Sequence, residues 1–247
     1  MKVFVVFGSA SDNTVSQPLV ESLKRVCDDV EFQVISAHRN IDQLQEKIKN
    51  WQGDAVIAGA GLAAALPGVV AALTKLPVFG VPVNSQFGGL DSLASIAQMP
   101  PGVPVLACGP DRTGAIVGFL DQWQAAQPTS YVHFVVPEGL KAGDIVEKSR
   151  IAAQDKGLTV TSSNTPDDAA FNVYLVAGAE DIRPQAFGLH VPFFKKEAAA
   201  DAKNYLTVLD WAKHGGLWVG ANNTRNAVAA AARLYEQRKA EGKKNAA

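Results

Sequence analysis

Residues 3–12, Val3-Phe4-Val5-Val6-Phe7-Gly8-Ser9-Ala10-Ser11-Asp12, decide how the chain is read. Five apolar residues in unbroken succession suit a parallel strand covered on both faces, and the glycine and hydroxyl residues after them suit a turn into a helix. Val15, Leu19, Leu23 and Val26 then recur at helical spacing. The alternation continues outward from that stretch: strands are expected at 30–35, 54–58, 77–83 and 103–107, and helices at 41–48, 67–73, 90–98 and 114–123. Strands and helices alternating at this spacing predict a right-handed, doubly wound α/β sheet.

Gln127-Pro128-Thr129-Ser130 reads as a linker, after which the pattern restarts. Phe134-Val135-Val136 echoes Phe4-Val5-Val6, and Ala177-Gly178-Ala179 echoes Ala58-Gly59-Ala60. Val191-Pro192-Phe193 echoes Val81-Pro82-Val83, and Arg225-Asn226-Ala227-Val228 falls where Thr113-Gly114-Ala115-Ile116 falls. The expected organisation is a tandem duplication, with a first copy over 1–127 and a shortened, diverged copy over 131–236. A solvated basic tail, with Arg238, Lys239, Lys243 and Lys244, is expected over 237–247.

The bulk composition narrows the function classes. Hydrophobic residues make up 47% of 247, enough for a packed core. A net charge of −1 removes the sequence-independent attraction to nucleic-acid backbones, so any nucleotide partner is expected to be small and held locally. Cys27 and Cys108 show no paired spacing, so no disulfide framework or zinc knuckle is indicated and a reducing cytoplasm is expected. The first strand follows Met1-Lys2 directly, so no leader peptide is expected. Residues 55–74 are uncharged and about as long as a membrane span, but Gly59, Gly61, Pro67 and Gly68 interrupt them; strand, turn and buried helix are expected instead, with no membrane partner.

The chemistry concentrates in three turns of the first copy. Gly8-Ser9-Ala10-Ser11-Asp12 offers backbone N–H groups, two hydroxyls and a helix start, which together suit a phosphate monoester, although Ser11 or Asp12 would equally cap a helix without any ligand. Ser36-Ala37-His38-Arg39 sets a titratable imidazole beside a permanent cation; the same histidine would also serve as an ordinary loop residue. Gly59-Ala60-Gly61 permits either a tight strand-to-helix turn or the close approach of a ligand to the backbone. If the three strands lie parallel and adjacent, all three turns open on one sheet edge, where ligands bind in open α/β folds. The second copy has Ser162-Ser163-Asn164-Thr165 and Pro137-Glu138-Gly139-Leu140-Lys141 at the corresponding places, without the titratable group, and is expected to be a structural partner. His190 and His214 stand without ligand-spaced companions.

Together these motifs resemble the family of carboxyaminoimidazole ribonucleotide mutases and aminoimidazole ribonucleotide carboxylases of purine biosynthesis. The resemblance runs through the three turns, Leu62-Ala63-Ala64-Ala65-Leu66-Pro67-Gly68, residues 77–83 and residues 90–100, and in the second copy rests mainly on 220–227. It implies a flavodoxin-like three-layer fold and an imidazole ribonucleotide substrate, with no metal and no organic cofactor. By the same resemblance Ser9, Ser11 and Arg39 would hold the 5′-phosphate, Asp12 the ribose hydroxyls, and the Gly59 turn the base and its carboxylate. Gly8, Ser36, Ala37, Ala60, Gly61 and Leu66 would join the binding set, and His38 would be the general acid/base. The mutase branch usually has a histidine where Ala65 stands, and the carboxylase branch usually has lysine where Arg39 stands, so both carboxyl donors stay open: the carbamate isomer, or carbon dioxide directly. Carboxylation of another nucleotide by a related domain, as in the pyridinium carboxylases, and a non-catalytic nucleotide-binding scaffold are the remaining readings. Family analogy further implies a homo-oligomer of four chains forming a pseudo-octamer.

Overall fold

The computed structural model describes residues 1–195 and 197–245. The first half contains β1 (Lys2–Phe7), α1 (Asn13–Leu23), β2 (Asp29–Val34), α2 (Ile41–Asn50) and β3 (Ala55–Ala60). It continues with α3 (Leu66–Leu73), β4 (Val78–Pro82), α4 (Leu90–Ala97), β5 (Leu106–Cys108) and α5 (Gly114–Ala125). Val3 to Phe7 are wholly buried, as a strand covered on both faces requires. The strands pair in the order β2-β1-β3-β4-β5, all parallel, which is the flavodoxin-type doubly wound order.

The second half contains β6 (Tyr131–Val135), α6 (Gly143–Gln154), β7 (Thr159–Ser163), β8 (Phe171–Val176) and β9 (Gly188–Pro192). It ends with α7 (Ala202–Ala212), β10 (Leu217–Trp218) and α8 (Thr224–Asn245). Its strands are also mutually parallel and follow the corresponding order, β7-β6-β8-β9-β10. The two halves meet in one ten-stranded sheet through an antiparallel contact of β5 with β10, in which Leu217 opposes Cys108 and Trp218 opposes Ala107. The carboxyl ends of the second half's strands therefore point away from those of the first.

Two helical layers cover the sheet. Apolar residues of α1, α5, α6 and α8 form one continuous core cluster with one face, and those of α2, α3, α4 and α7 form the other. The second half has no counterpart of α2 among its described residues, and only a short 3-10 turn (Ala179–Asp181) between β8 and β9. A row of rings takes up part of that uncovered face: His190 on β9 stacks on Tyr174 of β8 and tilts against Trp218 of β10, centroids 5.4 and 4.8 Å apart.

Two expectations need revision. The strand expected at 103–107 is confined to Leu106–Cys108, because 101–102 form a turn in which Val103 N–H donates to the Pro100 carbonyl. The basic tail expected from 237 begins as ordered helix: α8 continues to Asn245, Gln237 donates to Asp54 Oδ1 at 2.9 Å and Arg238 to the Gln124 carbonyl at 2.9 Å. The last part of that expectation, 246–247, lies outside the described residues. Both cysteines are buried, and burial pushes the thiols up to about 11 for Cys27 and about 12 for Cys108, which keeps them protonated. Among the described residues no helix is long and apolar enough to cross a membrane.

Candidate functional site

The three turns singled out in the sequence follow β1, β2 and β3, which are adjacent and parallel, so they emerge on one edge at the reversal of strand order. Hydrogen bonds that extend the sheet set their mutual heights: Gly8 N–H donates to the Gly59 carbonyl at 3.0 Å and Ile35 N–H to the Phe7 carbonyl at 2.9 Å. Beside them, Val83 N–H donates to the Ala60 carbonyl at 3.0 Å, which fixes the loop after β4. The result is a cavity of about 470 Å³, within the usual range for small-molecule sites.

The β1 turn forms one wall through Gly8, Ser9, Ser11 and Asp12. Ser9 caps a short 3-10 turn (Ala10–Asp12) by accepting from Ser11 N–H, and the two hydroxyls lie 2.8 Å apart. Asp12 is buried, and burial pushes its carboxyl above the usual carboxylate range, opposed by hydrogen bonds from the Ser11 hydroxyl and from Ser9. Asp12 precedes α1 without capping it through its side chain, which turns the capping alternative against this residue and assigns the capping role to Ser9. The β2 turn contributes Ser36, Ala37, His38 and Arg39 and is closed by Asn40 N–H donating to the Ser36 carbonyl at 2.8 Å. Ser36 is buried, whereas His38 and Arg39 are solvent-exposed and would be covered by an occupant.

The β3 turn contributes Ala60, Gly61 and Leu66, and Gly59 stands apart from them. Gly59 lies within β3, below the cavity wall, and a Cβ there would come within 2.3 Å of the Phe7 ring. Neither Gly59 nor Gly61 has a positive φ; the left-handed residue of this turn is Ala63, at φ 49°. The glycines are thus required for space: Phe7 lies against Gly59, and a Cβ on Gly61 would come within 2.8 Å of Ser85 Oγ.

Ser85 is the wall residue that sequence reasoning missed, together with Leu62 and Ala63 beside the Gly61 turn. It belongs to the loop 84–89, and its signal was a polar and glycine-rich run directly after a strand on the same sheet edge. The loop is pinned by buried Ser92, whose hydroxyl reaches the carbonyls of Val83 and Gly89, both at 3.0 Å. Ala65 is exposed and is not part of the wall. His190, which stands in the sequence without ligand-spaced companions, is sealed in the interior of the other half: its Nε2 accepts from Arg183 N–H and its Nδ1 faces the Leu217 carbonyl.

Chemically, the wall offers hydroxyls and a guanidinium for an oxyanion, a buried carboxyl for hydroxyl groups, and one imidazole. Among the described residues no group of three or more His, Cys, Asp or Glu side chains is placed to hold a metal. A flavodoxin-order sheet with a cavity at its reversal point defines an open α/β protein with a cleft where such folds bind small molecules. A family model described as AIR carboxylase matches residues 2–118. The N5-carboxyaminoimidazole ribonucleotide mutase of Methanocaldococcus jannaschii is 47% identical over 110 residues, 44% of this chain and 70% of that protein. The enzyme of the same name from Brucella melitensis is 38% identical over 149 residues, covering 52% of this chain and 92% of that one. For the one from Thermotoga maritima the figures are 49% over 108 residues, covering 42% and 63%, so the chain spans less than two thirds of that relative. The chain belongs to the AIR carboxylase family, and the family match stops before the second half begins.

Proposed function

We propose that this protein forms 4-carboxy-5-aminoimidazole ribonucleotide from its carbamate isomer, the reaction of a carboxyaminoimidazole ribonucleotide mutase, with His38 as general acid/base. The observation that carries the reading is the meeting of Ser9, Ser11, Asp12, His38 and Arg39 in one cavity, from turns more than twenty residues apart in the chain. Ser9, Ser11 and Arg39 hold the 5′-phosphate, Asp12 the ribose hydroxyls, and the backbone around Ser36, Ala37, Ala60 and Gly61 the base, with Leu66 behind it. Gly59 supports the phosphate turn from below through its bond to Gly8.

In the reaction the carbamate N–C bond breaks, the nitrogen takes a proton from His38 and carbon dioxide is released inside the cavity. The ring carbon then bonds to that carbon dioxide and loses its own proton to His38. The imidazole therefore returns to its starting state, and recapture of the gas rests on confinement beside the ring. His38→Asn is expected to lower turnover by at least about 100-fold, the usual scale for a positioned acid/base group, while ribonucleotide affinity measured by calorimetry is kept. Undiminished turnover in that variant would remove the proposal.

Ala65, which leaves His38 as the one imidazole at the wall among the described residues, favours a second reading in which carbon dioxide itself is the donor. Turnover of aminoimidazole ribonucleotide with and without excess bicarbonate, compared with turnover of the carbamate, separates the two. We further propose that the halves are tandem copies, that 131–236 is structural, that four chains assemble, and that the protein works in the cytoplasm.

A further inference from the structure

Around the β5–β10 contact the chain makes one arrangement twice. Each strand is followed by a residue with left-handed backbone, Asp111 at φ 59° and Asn222 at φ 56°, and then by a helix, α5 or α8. The start of each helix faces the loop that leads into the opposite strand. On the α8 side that space is full. Buried Asn226 donates to the carbonyls of Met99 at 3.2 Å and Pro100 at 3.0 Å and accepts from Gly102 N–H at 2.8 Å, while Asn223 donates to Met99 at 2.7 Å.

On the α5 side the first helical residue is Gly114, and a Cβ on it would meet no atom within 4 Å. The loop 213–216 is tied there by Arg112 Nε, which donates to the Lys213 carbonyl at 2.5 Å. Beside it lies a cavity of about 440 Å³, nearly the size of the one at the strand reversal. Arg112 from the first half and Lys213 and His214 from the second converge on it, and Phe119, Pro184 and Ala186 provide apolar wall. Two carboxylates lie nearby: Asp111 is part of the wall and accepts from Asn84 Nδ2 at 3.4 Å, and exposed Asp210 pairs with Lys213 at 3.0 Å, a partner that a phosphate would share or displace.

We propose that this cavity binds a small phosphate ester of nucleotide size, at a site separate from the one assigned above to the reaction. The phosphate bridges the helix start and the 213–216 loop through Arg112, Lys213 and His214. The body of the ligand lies against Phe119 and Pro184. The volume suits a mononucleotide better than an inorganic ion.

The test uses adenosine 5′-monophosphate as probe, titrated calorimetrically into the full chain carrying Arg39→Gln, so that the first cavity lacks its guanidinium. One equivalent is expected to bind. Adding Lys213→Gln and His214→Gln, both on exposed positions, should weaken binding at least about ten-fold, the scale of one lost charge-assisted hydrogen bond. Gly114→Asn, which puts a side chain into open space at the cavity wall, should abolish binding without lowering the melting temperature. Affinity unchanged by Lys213→Gln and His214→Gln, binding that survives Gly114→Asn, or no saturable binding to the Arg39→Gln chain overturns the proposal. Loss of turnover in His38→Asn bears on the reaction alone and leaves this site untouched.

Discussion

His190 shows how far a single side chain can be determined by its neighbours. It is fully buried between Tyr174 and Trp218, both ring nitrogens have backbone partners, and Gly216 packs so closely that a Cβ there would lie 2.5 Å from the imidazole. Burial, the largest cause, holds its pKa down to about 4, from an ordinary 6.5. Because the folded value lies below the unfolded one, its contribution is fully present above pH 6.5. It is lost as the pH falls toward 4, when the unfolded chain takes the proton that the folded chain refuses. The lost stability is about 3 kcal/mol over that window. Chemical denaturation from pH 7 to 4.5 should show this slope, and His190→Gln should flatten it; an equal slope in the variant would assign the acid sensitivity to other groups. At this scale the sequence was legible in where it put the polar side chains: Ser9, Asp12, His38 and Arg39, expected on one sheet edge, line one cavity. It was silent at Ser85, because a serine in a polar loop has no distinguishing pattern until the Gly61 turn is seen against it.

At the scale of elements, the long apolar runs were decisive: β1, β3 and β4 are buried on both faces and read directly as strands. β10 is two residues long, too short to carry any period, so neither that strand nor its antiparallel pairing with β5 was foreseeable. The contacts that seat α8 are also long-range, since Asn226 reaches carbonyls more than 120 positions earlier in the chain. Asn226→Ala leaves those buried groups without their partner, and a loss of about 2–4 kcal/mol is expected by urea denaturation. A cost below about 0.5 kcal/mol would mean that water replaces the amide, in which case the two helix starts are more alike than the hydrogen bonds indicate.

For the whole molecule, the repeated strand order was readable from the echoes between halves, but the joining of those halves into one sheet was not. Apolar periodicity records which face of an element is buried and says nothing about which edge meets which. Here the edge of β5 is covered by β10, Gly109 lies against the Ala212 carbonyl, and α8 reaches back to donate from Arg233 to the carbonyls of Ala71 and Leu76. A chain cut after Gln127 would expose that edge together with apolar surface normally covered by α8. Gel filtration of residues 1–127 should show self-association or loss of soluble protein, reversed by co-expression of 128–247. A well-behaved monomer of the first half alone would show that the seam is dispensable.

The antiparallel seam also gives the molecule a front and a back. The serine-lined turn after β1 and the 137–142 turn after β6 emerge at opposite poles, because the strands of the two halves run in opposite directions. A tether or a neighbouring protein gripping the rear pole would leave the front mouth open to diffusing small molecules, and no intermediate could pass directly from one pole to the other without crossing the full length of the strands.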